Sequence, residues 1–515
     1  MTKEYSVYTL ALFAGLCSAT ISYFSPFFPY GVDSASYLEQ ARSFMARGVF
    51  EITPFGTELT DVVSVPDALF PPGYPLLIVF SSVIFQLPVE VTAPFLSLAA
   101  LALLPLTIVC CFQRVLGLYP ALSIAILVAL TPTAVRHGYI AYSDTLSLLL
   151  VIFAVNRLLF AGNKSTSWFC LGLLSGFSYL IRNANLALLI SMSLFLLWDI
   201  LVDSQNRRQK INQSLVWAGG NALLLAPWLM RNFLVFGKFQ PYSMPPSTVS
   251  LGENIHDYIK AQLDTVLTLN ELDGLIANNV SGILLLITVV VVLLYQVISS
   301  WKKWSKIEQQ TFFIAVSYVV IGTAMVIAAR TKYQWGVHIS DRHVLAFPCF
   351  IFVAVAIVLK NSSCTIMTRY LLPCLVITLL LARGYQLSKL YQLEAYDQNI
   401  SHTAQQITAN ADVICTDLNG RLAFSNRAFV YRILCAAPAR HIYPSFQQNK
   451  FIDESLQTWA NLGAKKGVVV SLFPDKGASD LPLKQEEINK LNTLGWQVER
   501  NNKENLILSH KTTAL

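Results

Sequence analysis

Charge is what this chain has least of: Asp, Glu, Lys and Arg make up 13% of its 515 residues, about half the share usual in soluble globular proteins. So low a share excludes a chain solvated by water along its whole length, and no nucleic-acid partner is expected. The nine cysteines show no Cys-x-x-Cys or other zinc-like spacing. Cys17, Cys110, Cys111 and Cys170 fall inside apolar runs and read as packing residues. Only Cys415 and Cys435 fall in a polar region that could be oxidising, where a disulfide between them is one pairing the sequence allows. Internal repeats and low-complexity segments are also missing, which weighs against a transporter assembled from repeats.

What is present is apolar. Hydrophobic residues reach 54% and mean hydropathy is +0.51. Runs of roughly 17 to 25 apolar residues, each long enough to cross a hydrocarbon core as a self-satisfied helix, recur from Ser6 to about Gln386. The first, Ser6 to Phe24, exceeds a signal-peptide core and lacks a small-residue cleavage pattern, so it reads as a retained span. An all-α polytopic membrane bundle follows.

Orientation comes from Lys and Arg in short loops, which stay cytoplasmic. The loops 203–212, with Arg207, Arg208 and Lys210, and 299–310, with Lys302, Lys303 and Lys306, set the frame. Spans are expected near 6–26, 90–112, 118–133, 143–161, 167–182, 185–202, 213–230, 280–298, 311–329, 344–359 and 370–387, about eleven crossings. With the amino terminus inside, Arg114, Lys164, Lys360 and Arg369 also fall inside, while 27–89, 134–142, 231–279 and 330–343 fall outside. Tyr74–Leu87 is apolar but short, which suits an interfacial or re-entrant helix in the first external loop, 27–89.

Residues 1–388 thus form a transmembrane domain, and beyond it the composition changes. Short β-rich runs (Asp412–Cys415, Val468–Phe473, Leu506–Leu508) alternate with helical stretches (Asp453–Leu462, Lys484–Leu494). Residues 389–515 read as a small soluble α/β domain, extracytoplasmic by parity.

Charges near apolar spans are expensive, so those that persist are candidates for function. Asp33-Ser-Ala-Ser-Tyr37 opens an amphipathic interfacial stretch that includes Leu38, Ala41, Arg42 and Phe44 and ends at Gly48, with Asp33 expected at the helix cap. Phe70-Pro-Pro-Gly-Tyr74-Pro-Leu-Leu77 makes a stiff turn. Tyr142-Ser-Asp144 starts a span on the same side, and each carboxylate could serve only as a cap. Arg182, Arg231 (followed by Asn232) and Arg342 (followed by His343) sit at external ends, against the loop bias. A guanidinium is a permanent charge whose planar fork matches phosphate oxygens; snorkelling, or pairing with Asp33, Asp144 or Asp341, is the alternative use.

In this order, these stretches resemble the GT-C superfamily of integral-membrane glycosyltransferases, similar to bacterial protein O-mannosyltransferases and lipid A aminoarabinose transferases. The likeness covers roughly residues 1–390. It rests on Asp33-x-x-x-Tyr37 with Ala41-Arg42, on Pro71–Leu77, on Asp144, on Arg182, on Pro227–Lys238 and on Arg342-His343 before Pro348. Two departures stand out. Asp33 is followed by Ser34 where many relatives have Glu, and Leu69-Phe70 stands where many carry a basic residue.

The resemblance implies a polyprenyl-phosphate sugar as donor substrate and a protein, lipid or glycan as acceptor, with membrane lipids around both. It implies Asp33 as base and Asp144 as its assistant, with substrate bound by Tyr37, Arg42, Tyr74, Tyr142, Arg182, Arg231, Asn232, Arg342 and His343. Transfer on the outer face would proceed with inversion. Two nearby carboxylates would be expected to raise one pKa, which suits a base. No nucleotide cofactor is implied; a divalent metal on His338, Asp341 and His343 stays open as an alternative, although their spacing is not that of a helical metal site. A transporter of lipid-linked sugars, or a surface-polysaccharide polymerase or ligase, is the alternative.

Overall fold

The computed structural model describes residues 2–53, 64–203, 205–241, 246–268, 280–333, 339–362, 372–390, 404, 423–425, 428–436, 439–441, 469–472, 485–493, 495–501 and 506–510. Its first part runs α1 (Thr2–Tyr23), α2 (Val32–Arg47), β1 (Glu51–Ile52), β2 (Val65–Pro66), α3 (Gly73–Phe85), α4 (Val89–Leu116), α5 (Leu118–Ala129), α6 (Pro132–Gly138), α7 (Asp144–Leu159) and α8 (Ser165–Ile181). It continues with α9 (Leu186–Val202), α10 (Arg207–Phe236), α11 (Leu251–Leu267), α12 (Val280–Ser300), α13 (Lys306–Lys332), α14 (Asp341–Val344), α15 (Phe347–Lys360) and α16 (Leu372–Lys389).

A helix occupies every stretch expected to span. By length and composition, four among the described residues are long and apolar enough to cross a membrane: Glu4–Tyr23, Val89–Leu116, Asn183–Val202 and Lys306–Lys332. A fifth is added if α5 and α6, bent by 59° at their junction, form one broken span. Pro132 causes that break, because its ring disfavours the helical conformation of Thr131 and Thr131 is extended at ψ 129°. The apolar helices α3, α8 and α15 are shorter.

Charged ends sort onto two faces. Lys210 Nζ lies 2.6 Å from Asp199 Oδ2, Lys306 Nζ 3.7 Å from Asp203, and Lys360 Nζ 2.8 Å from Glu308; Lys360 also donates to the Val115 carbonyl at 2.7 Å. Such partly exposed pairs add little stability, but they bring together the ends of α4, α9, α10, α13 and α15. These are the ends that parity assigned to one side. Asp33, Asp144, Arg182 and Arg342 meet at the opposite ends.

Two glycine contacts place the site. Gly172 on α8 faces α10 so closely that a Cβ there would lie 2.2 Å from the Trp217 carbonyl oxygen and 2.9 Å from Gly220 Cα; small residues allow this approach between membrane helices. Ser175 then bonds Asn221 and Trp217 across the same seam. At the start of α3, a Cβ on Gly73 would stand 2.6 Å from the Leu180 backbone. The Pro71-Pro72 turn is therefore held against the end of α8, beside Arg182.

Asp33 does not cap α2, contrary to expectation. Gly31 holds the cap position in extended backbone, and Asp33 lies in the first turn. Its carboxylate is thereby turned outward from the helix end, toward other elements. Gly48 closes α2 at φ 71°, where glycine avoids the Cβ clash of the left-handed region. An unexpected amphipathic helix, α11, lies in the segment between α10 and α12, and Ser250 and Glu253 form the reciprocal capping box that marks its start.

Beyond α16 come β3 (Ala423–Ser425), α17 (Ala428–Leu434), β4 (Ala439–His441), β5 (Val469–Leu472), α18 (Gln485–Thr493), β6 (Trp496–Asn501) and β7 (Leu506–His510). The five strands form one sheet, order β4-β3-β5-β7-β6, parallel across β4, β3 and β5 and antiparallel across β5, β7 and β6. The expected strands at 468–473 and 506–508 and the helix at 484–494 coincide with β5, β7 and α18; Asp412–Cys415 and Asp453–Leu462 lie outside the described residues. Cys435 is disulfide-bonded, and its expected partner, Cys415, also lies outside them.

Candidate active site

Four charged side chains from four elements converge at one end of the bundle. Asp144 is the first residue of α7, Arg182 ends α8, Arg342 lies in α14, and Asp33 lies in the first turn of α2. Arg342 spans both carboxylates: Nη2 donates to Asp33 Oδ2 at 2.5 Å and Nε to Asp144 Oδ2 at 3.0 Å. Arg182 Nη1 pairs with the other oxygen of Asp144. The Tyr142 ring lies beneath the Arg342 guanidinium, 3.7 Å from centroid to Cζ, and Tyr37 bonds Ser143 at 3.0 Å.

The exposures differ in a way that separates the two acids. Asp144 is 2% exposed, clamped between two guanidinium groups, while Asp33 retains 27%. Asp144 is thus held between the two arginines, while Asp33, paired with Arg342, keeps more of its side chain exposed.

Like-charge repulsion does not govern Asp33. Burial pushes its carboxyl up, but the charge and hydrogen bond of Arg342, with Arg182 and His343 behind, outweigh that effect and hold it below the ordinary carboxylate range. The expected rise is thus reversed, because a guanidinium lies between the two acids. Burial, then Arg342 and Arg182, push the His343 imidazole down to about 3, so it stays neutral. Its Nδ1 accepts the Ser340 N–H at 3.0 Å, which leaves the proton on Nε2.

A cavity of about 410 Å³ opens beside this cluster. Asp144, Arg182, Arg342 and His343 form its charged wall; Tyr318, Gly322, Met325, Val326, Ala329 and Phe347 form an apolar wall; and Asn183, Asn232 and Gln240 with Tyr179 and Trp228 form a third, uncharged and hydrogen-bonding. Ala68, Leu69 and Pro71 close it from the segment between β2 and α3. Asp33 does not line the cavity and reaches it through Arg342.

Not every expected substrate contact arrives there. Arg42 pairs with Glu90 at 2.5 Å. Tyr74 is fully buried, donating to the Ala93 carbonyl at 3.0 Å. Arg231 donates to the backbone carbonyls of Asp67 at 2.6 Å and Phe50 at 3.4 Å and stacks on Trp228, so it supports the loop that closes the cavity; its neighbour Asn232 does line it. His338 lies outside the described residues, and Asp341 accepts from Thr133 at 2.7 Å.

Asp67 was not expected. It is fully buried, bonded by the Gln40 amide and by the N–H groups of Leu69 at 2.6 Å and Phe70 at 3.2 Å. A carboxylate four residues before a Pro-Pro turn carries an Asx-turn signal that sequence could have supplied. Burial pushes its carboxyl from 3.8 up to about 6, against those bonds and the charges of Arg231 and Arg432. A folded value above the unfolded one means stabilisation that is complete below about 4 and lost as pH rises through about 6. Thermal unfolding in detergent should therefore show a midpoint whose Asp67-dependent part falls between about pH 4 and 6, with Asp67→Asn flattening that fall. An equal slope in the variant would show that Asp67 does not titrate in this window.

The sequence over residues 70–230 matches the family described as dolichyl-phosphate-mannose-protein mannosyltransferase. No curated protein matches the chain. Among solved structures, ArnT from Cupriavidus metallidurans bound to undecaprenyl phosphate superposes with TM-score 0.56 at 10% identity, covering 98% of this chain and 98% of that one. The archaeal oligosaccharyltransferase AglB from Archaeoglobus fulgidus, in complex with an inhibitory peptide and a dolichol-phosphate, superposes with TM-score 0.51 at 13% identity, covering 91% of this chain and 70% of that one. The resemblance to GT-C glycosyltransferases thus extends to the fold of nearly the whole chain, and the protein is a multi-pass membrane protein.

Proposed function

We propose that this protein is a glycosyltransferase that moves a sugar from a polyprenyl-phosphate carrier to an acceptor hydroxyl at the non-cytoplasmic face of the membrane. The observation that carries it is the chain Asp33–Arg342–Asp144–Arg182 set against a cavity with one apolar wall. A lipid-linked sugar phosphate needs those surfaces together: hydrocarbon for the prenyl tail, fixed positive charge for the phosphate, hydrogen-bonding groups for the sugar. The lipid phosphates in the two solved relatives support the donor class.

Asp33, ionised across the neutral range, takes the proton of the acceptor hydroxyl. The hydroxyl oxygen attacks the anomeric carbon as the bond from that carbon to the phosphate oxygen breaks. The electron pair stays on the departing polyprenyl phosphate, whose charge Arg182 and Arg342 stabilise. In-line displacement inverts the anomeric configuration.

Placement on the outer face is supported by the Lys- and Arg-containing loops gathered at the opposite ends, and by the disulfide at Cys435, since such bonds persist in oxidising compartments. The decisive experiment offers purified protein in vesicles a radiolabelled polyprenyl-phosphate sugar. A new covalent glycoside supports transfer. Label that crosses the bilayer with no product formed supports a transporter instead.

A further inference from the structure

We infer that the segment 428–435 near the C-terminus is a clamp on the helix that carries Asp33, with Arg432 as its positioning residue. The inference rests on the transferase reading above. Helix α2 lies outside the spanning helices, and a 16-residue helix is marginal on its own in water, so neighbours must set its direction. Asp33 and Tyr37, one turn apart, face Arg342 and Ser143. Ser36, Glu39 and Arg42, at three-residue intervals, meet α17 instead.

The α17 contact is built from both sides. Arg432, 5% exposed, donates from Nε to Glu39 Oε1 at 2.6 Å, from Nη2 to Glu39 Oε2, and to Ser36 Oγ at 3.5 Å. A bidentate guanidinium fixes angle as well as distance. Glu39 further accepts the Thr53 N–H and hydroxyl, each at 2.8 Å. In return, Arg42 donates to the carbonyls of Arg432 at 2.7 Å and Ile433 at 2.8 Å, groups at the α17 end that lack an intrahelical partner and favour a cation. Phe429, Val430, Tyr431 and Ile433 are buried in one cluster with Tyr37, Leu38 and Ala41, and the disulfide at Cys435 fastens the chain one residue past α17.

A tilt of α2 that displaces Asp33 by about 1 Å is enough to cost about 10²-fold in rate. Arg182 and Arg342 stand on other elements, so donor binding is spared. In the full-length protein with a polyprenyl-phosphate sugar donor, Arg432→Ala should lower kcat by about 10- to 100-fold and change the donor KM by less than about twofold. Hydrogen exchange of residues 32–47 should rise in that variant while exchange in α13 stays put. Arg432→Lys, which keeps the charge and loses the fork, should recover part of the rate.

Wild-type kcat together with wild-type exchange in Arg432→Ala overturns the clamp, and so does a loss expressed in KM alone. If the alanine variant does not accumulate in the membrane, Arg432→Lys and Glu39→Gln supply the same two readouts. Failure of the unaltered protein to transfer from any donor sinks the transferase reading instead. Exchange across residues 32–47 then still decides whether α17 holds α2.

Discussion

Asp33→Asn should reduce sugar transfer by about 10²- to 10⁴-fold, the range typical of removing a general base, with the protein still inserted and folded. The carboxylate is 27% exposed and held by a single guanidinium, so an amide of the same shape fits the space and keeps an oxygen for Arg342. What it cannot do is accept a proton. Donor binding should change little, because Asp33 does not line the cavity. The measurement is initial rate with saturating donor alongside an equilibrium titration of donor. More than a few per cent of residual activity would remove Asp33 as the base, whatever the donor affinity.

Arg342→Ala should do more, because this side chain ties three parts of the site together. Its guanidinium bonds both Asp33 and Asp144 and lies on the Tyr142 ring. Hydrogen bonds to charged groups contribute about 1.5–3 kcal/mol each, so losing one phosphate contact should weaken donor binding by about 10- to 150-fold. Leaving a buried partner uncompensated adds a cost of about 3–5 kcal/mol, which Asp144 escapes in part by keeping Arg182. Thermal stability should therefore drop with donor affinity, while acceptor affinity stays near normal. Arg342→Lys separates charge from geometry: an ammonium is a point charge and cannot fork between two carboxylates, so it should restore some stability and little transfer. Unchanged donor affinity in the alanine variant would assign Arg342 to packing alone.

The sequence foretold much of the bundle. A helix lies in each apolar stretch, and the loops read as cytoplasmic by their Lys and Arg content join one another through Lys210–Asp199, Lys306–Asp203 and Lys360–Glu308. Asp33, Asp144, Arg182 and Arg342 could be singled out because a charge beside an apolar run is costly wherever its partner lies. Arg42 was singled out by the resemblance and Arg231 as a charge beside an apolar run, yet the first grips the end of α17 and the second the backbone between α2 and α3. Nothing local distinguishes an arginine that meets a phosphate from one that meets a carbonyl.

Hydropathy, helix length and loop charge are sums over neighbouring residues, so the chain by itself determined that the protein is a helical membrane bundle with acids and arginines collected on one face. Which acid is buried and which is reachable depends on pairings between residues as far apart as Asp33 and Arg342, 309 positions in sequence. Those pairings, the reversal of the Asp33 shift and the Arg432–Glu39 grip exist only once the helices pack. Coulomb energy and desolvation are set by distances in space, and separation along the chain does not fix them.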